Sequence, residues 1–76
     1  MNRYATVVAF NSTSQVLSRL EATIEAADNL ADWLERDRHV EAQQASRIAY
    51  DLRRIHERMR AMRRSLRDDR ILEEGE

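Results

Sequence analysis

From Leu17 onward the apolar residues recur with the rhythm of a helical seam. Leu17, Leu20, Ile24, Ala27, Ala31 and Leu34 are separated by 3, 4, 3, 4 and 3 positions. A second run, Ala45, Ile48, Leu52, Ile55, Met59, Met62 and Leu66, keeps the same alternation. An apolar position about every 3.5 residues is the seam of a coiled coil, so each run predicts a long amphipathic helix. Between the runs, in Glu35-Arg36-Asp37-Arg38-His39-Val40-Glu41, the stripe lapses for one heptad, because Arg38 and Glu41 stand at the seam positions. The lapse predicts a turn near residues 36–40. The competing reading is a single straight rod, since the heptad phase runs on across the gap and no Pro interrupts it.

Charge placement favours the hairpin. With Leu17 at position a, Glu21, Asp28 and Glu35 all fall at e, while the second run, with Ala45 at a, carries Ala49, His56, Arg63 and Arg70 at e. In an antiparallel pair e faces e; in a parallel pair e faces g. Folding back near residue 39 sets Leu34 against Ala45, Ala31 against Ile48, Ala27 against Leu52, Ile24 against Ile55 and Leu20 against Met59. It also brings Glu21 towards Arg63 and Asp28 towards His56. A parallel rod dimer would instead set the acids against Thr23, Leu30 and Asp37, none of them basic. The expected fold is therefore all-α: an antiparallel helical hairpin with helices over about 12–36 and 40–69, in a single domain of 76 residues.

The ends read differently from the middle. Ser12 and Gln15 are spaced as a capping box, which predicts that the first helix begins near Ser12. Upstream, Tyr4-Ala-Thr-Val-Val-Ala-Phe10 is uncharged and rich in β-branched and aromatic residues, which is the chemistry of a strand or extended segment over residues 1–11. The alternative is further helix or an ordered tail packed on the hairpin. Asp68 to Glu76 is mostly acidic, and residues 70–76 are expected to fray.

Composition bears on partners. A chain this short buries little surface of its own, and small folds make up the deficit with disulfides, metals or association. There is no Cys, so association is the remaining route. The first helix also carries apolar residues that its seam does not use: Val16 and Leu30 at g, with Ala26 and Trp33 at c beside them. This second stripe predicts a homodimeric four-helix bundle, a docking face for another protein, or both. Tyr4, Val8 and Phe10 extend the candidate interface at the N-terminal end. No apolar stretch is long enough for a membrane span and no secretory pattern is present, so a cytoplasmic protein is expected.

Net charge is −1 although 36% of residues are charged, and all 13 basic residues are Arg. Arg47, Arg53, Arg54, Arg60 and Arg67 line up on the outer side of the second helix, a row able to track phosphates, with Tyr50 at its edge able to stack on a base. Asp51, Glu57 and Asp68 partly neutralise it, which suits an ordinary solvated face. A dimer of hairpins with a charged outer face resembles the architecture of the Rop-type RNA-binding bundle in helix count and heptads, with no matching functional residue.

Catalytic chemistry is sparse. There is no Gly-rich phosphate loop, no Lys, and no Glu three residues ahead of either His, where Arg36 and Arg53 stand instead. Asp32, Glu35 and His39 would form a metal-ligand cluster if the helix ran unbroken through residue 39. Leu20-x3-Ile24-Glu25-x2-Asp28-x-Leu30 is similar to the opening helix of the small helical chorismate mutases, but the active-site lysine of that family has no counterpart. The chain is expected to be a non-enzymatic interaction module without cofactor, metal or small-molecule substrate. A regulator, inhibitor or adaptor docking on a larger protein fits best, of the kind that phages and mobile elements encode. The alternative is a nucleic-acid-binding regulator that uses the Arg row.

Overall fold

The computed structural model describes residues 3–74, in which a short turn joins two antiparallel helices, α1 (Arg3–Arg36) and α2 (Ala42–Glu74), packed against each other. The molecule measures 58 × 14 × 13 Å, with a radius of gyration of 17.1 Å. A globule of this chain length would have a radius near 11 Å. The hairpin is thus a rod two helices wide, and most of its side chains reach solvent.

The turn falls where the stripe lapses. Arg38 N–H donates to the Glu35 carbonyl at 3.0 Å and His39 N–H to the Leu34 carbonyl at 2.9 Å, the paired bonds of a Schellman motif. That motif needs a left-handed residue between its arms, and Arg38 supplies it at φ 52° without being Gly. His39 then starts the return. Its Nδ1 accepts the Glu41 N–H at 3.1 Å, its carbonyl accepts the Ala42 N–H at 3.1 Å, and α2 begins.

Within α1 the predicted seam is the packed one. Leu17 and Ala31 are buried, and Leu20, Ile24, Ala27 and Leu34 are half-buried along the same stripe. The stripe also continues upstream through Phe10, half-buried, to Thr13 and Thr6, both buried, in the same alternation of threes and fours. This overturns the strand-like or extended segment expected over residues 1–11. From Arg3 onward that segment is helix, because packing against α2 outweighs the β-propensity of its Thr and Val residues. The Asn-Ser-Thr-Ser run starts nothing: Thr13 and Ser14 return their hydroxyls to the carbonyls of Ala9 and Phe10, at 2.7 and 3.1 Å, inside a continuous helix. At the other end α2 extends through Glu74, beyond the end near residue 69 expected for the second helix. The rest of both expectations, at residues 1–2 and 75–76, lies outside the described residues.

The second helix is turned relative to expectation. Its packed stripe is Ala42, Ala45, Ala49, Leu52, His56, Met59, Arg63 and Leu66, while Ile48, Ile55 and Met62 are 49%, 44% and 48% exposed. The seam thus joins positions a and e where a and d were predicted. Near the turn the two helices are tied closely together, and Ala45 and Ala49, both buried, let α2 approach Ala27 and Ala31. Larger side chains at those facing positions would hold the helices apart, because the distance between axes is set by the residues at the contact. Arg63 lies in the lower seam half-buried, its methylene stem suited to that position and its charged head to the edge.

Candidate interaction surface

A hairpin two helices wide has two long sides, and here they differ in chemistry. On one side the acidic e row of α1 meets α2. Asp28 pairs with Arg53, and Glu21 lies 3.2 Å from Nε2 of His56. Both bonds cross between the helices, at partners other than those expected. Glu21 reaches His56 in place of Arg63, and Asp28 reaches Arg53 in place of His56, as the rotation of α2 requires. A shallow groove lined by Glu21, Ile24, Arg53, His56 and Glu57 runs along this side.

The opposite side follows from the helical repeat. Around α1, the row next to the seam and away from Asp28 is Val16, Thr23 and Leu30, with Ala26 and Trp33 beyond it. Around α2, the row next to the seam and away from Arg53 is Ile48, Ile55 and Met62. Because the side-chain contacts that cross between the helices fix which sides coincide, these rows share one side of the rod. The register of the same pairs sets Leu30 level with Ile48, Thr23 with Ile55 and Val16 with Met62. Val16 is 42% exposed and Leu30 53%, close to the figures for their α2 counterparts. Thr23 returns its hydroxyl to the Arg19 carbonyl at 2.9 Å, so it adds a methyl group to the row more than a polar group. The result is an apolar strip about 21 Å long from Val16 to Leu30, which Trp33, 61% exposed, lengthens towards the turn.

Other expected site residues are dispersed. Tyr4 and Val8 are exposed, but they lie at the open end of the hairpin on the outer surface of α1, some 40 Å from Trp33 along the helix. Phe10 belongs to the seam and is half-buried. Arg47, Arg53, Arg54, Arg60 and Arg67 are all exposed on α2. Arg53 is engaged by Asp28, Arg47 lies 3.6 Å from Asp51, and Arg60 lies 3.5 Å from Glu57, so carboxylates occupy three of the five.

The turn separates His39 from Asp32 and Glu35, and no cluster of three or more metal-ligating side chains occurs among the described residues. Nor is any described helix long and apolar enough to cross a membrane. The sequence reading missed Ile48, Ile55 and Met62 as surface residues, having assigned them to the seam. The signal that would have found them was the alternative a/e stripe through Ala49 and His56. No protein-family model, curated protein or solved structure matches the chain.

Proposed function

We propose that this chain is a non-catalytic protein–protein interaction module: a hairpin that associates into a four-helix bundle and docks on a larger protein as a regulator, inhibitor or adaptor. The supporting observation is the apolar strip of Val16, Leu30, Trp33, Ile48, Ile55 and Met62, exposed along a rod whose own core is thin. An uncovered apolar patch of that extent is the usual mark of an association surface, and Trp is favoured as an interface anchor. Leu30→Ala combined with Trp33→Ala is expected to weaken both self-association and capture of the protein partner while far-UV circular dichroism stays helical. Unchanged association in both assays would sink the reading.

The competing reading, a nucleic-acid-binding regulator, draws support from the exposure of Arg54, Arg60 and Arg67 along one helix. It predicts RNA or DNA retention that falls steeply with salt and is weakened by neutralising Arg53, Arg60 and Arg67. No retention at low salt removes it.

A further inference from the structure

We propose that the apolar strip is covered by a second copy of this chain lying antiparallel to the first, with Ile55 on the two-fold axis and Asp51 of each copy paired with Arg58 of the other. The inference rests on the interaction-module reading and deepens it by naming the occupant of the strip, the orientation and the register.

The apolar rows are self-complementary about a single level of the rod. Ile48 and Met62 lie seven residues either side of Ile55 on α2, and Val16 and Leu30 lie seven either side of Thr23 on α1. Ile55 and Thr23 are level with each other in the hairpin. A two-fold axis across the rod at that level therefore sets Ile55 on Ile55 and Ile48 on Met62, and likewise Thr23 on Thr23 and Val16 on Leu30. Every exposed apolar side chain of the two rows finds an apolar partner, as an isologous interface requires. The area to be covered also suits a second copy. Among the described residues the only apolar side chains fully buried are Leu17 and three alanines, and doubling the hairpin into four helices supplies the missing layer.

Apolar matching alone would also accept a parallel arrangement, with α1 of one copy over α2 of the other. The charges beside the strip decide. Asp51 and Arg58 flank the isoleucine row on its outer edge, one heptad apart and placed almost symmetrically about Ile55. Antiparallel packing brings each Asp51 to the Arg58 of the other copy, twice per dimer. Parallel packing instead brings Arg58 within a turn of Arg19 of the other copy and leaves Asp51 near Ala26. Like charges there are unfavourable, so the antiparallel form is selected. Both residues are exposed, and the ion pair of Asp51 with Arg47 of its own helix, at 3.6 Å with both side chains largely in solvent, leaves its carboxylate open to a second arginine. On the α1 edge the antiparallel form sets Arg19 near Ala26 and Trp33 near Ser12, with no charge conflict.

The test uses the full chain. Light scattering at micromolar concentrations is expected to give a dimer, and Asp51→Arg or Arg58→Asp alone is expected to raise its dissociation constant on the order of tenfold, since each substitution is felt twice. The Asp51→Arg/Arg58→Asp double variant restores association. Because the chain has no Cys, Ile55→Cys introduces a single thiol that is expected to form an intermolecular disulfide under mild oxidation. Ile48→Cys is not, because its two copies would stand about 21 Å apart. Circular dichroism of each variant confirms that the helices remain. A monomer at these concentrations, a double swap no better than the single changes, or Ile48→Cys linking as readily as Ile55→Cys would overturn the proposal. None of those results touches the docking of a larger protein, which fails separately if the Leu30 and Trp33 variants keep every contact.

Discussion

The two long sides of the hairpin show how the same two helices can close one edge and leave the other open. On the Asp28 side, polar residues from both helices meet and pair within the monomer, Asp28 with Arg53 and Glu21 with His56. On the Ile55 side, apolar residues from both helices lie level without a third layer to enclose them. Ion pairs across an exposed edge contribute little, with typical values of well under about 1 kcal/mol. Covering an aliphatic side chain contributes about 1.5–3 kcal/mol when burial is complete. The edge that looks finished is thus the weak one, and the edge that looks unfinished holds the larger reserve of free energy. The difference separates what positions the hairpin from what drives its association.

The largest effect is expected from reversing the character of the open edge. Ile55→Glu places a carboxylate at the centre of the strip, next to its own copy in the assembly, and is expected to abolish self-association while the isolated hairpin stays helical. Arg53→Glu, two residues away on the closed edge, is expected to leave the oligomeric state unchanged. Analytical ultracentrifugation of the two variants side by side checks the contrast. Equal losses would mean that both edges are buried in the assembly.

The sequence made most of the architecture legible, because a heptad repeat reports a helix and its inner face together, and the lapse at residues 35–41 reports the turn. Two elements escaped for physical reasons. On α2, hydrophobicity could not decide between two stripes that share Ala45, Leu52, Met59 and Leu66. Ile48, Ile55 and Met62 are the greasier choice, yet the short turn demands close approach, and beside the shared Ala45 the small residues Ala42 and Ala49 fit there where Ile48 does not. The stripe that packs is chosen by size and the other is left for a partner, so the same error hid the best candidate surface. At the N terminus, Thr6 and Thr13 hold seam positions but are not counted as apolar, so the continuing heptad was masked by β-propensity. Thr13 is tolerated inside because its hydroxyl returns to the Ala9 carbonyl.

A smaller effect, of opposite sign, is expected at the turn. Arg38 sits at φ 52°, a conformation that costs a residue with a Cβ roughly 1 kcal/mol and costs glycine almost nothing. Arg38→Gly is expected to raise the thermal midpoint by a few degrees, less than the relief of strain alone implies, because glycine also loosens the unfolded chain. The substitution touches neither edge, so the dimer dissociation constant should hold steady while the midpoint rises. A change in both would couple the turn to the open edge and blur the separation between positioning and association.

The smallest effect is the most diagnostic for the closed edge. Asp28 and Arg53 side chains are 39% and 52% exposed in the hairpin, and an exposed pair of this kind is expected to show a coupling of about 0.2–1 kcal/mol in a double-mutant cycle of Asp28→Asn and Arg53→Gln, shrinking as salt is added. Thermal melts of the four proteins at low and high salt measure it. The value depends on whether water still reaches the pair once the chains have assembled. A coupling of several kcal/mol that ignores salt would mean that the partner covers this edge, since only a desolvated pair is so strong and so poorly screened. A weak, salt-sensitive coupling in the assembled protein leaves the Ile55 edge as the side on which the second chain packs.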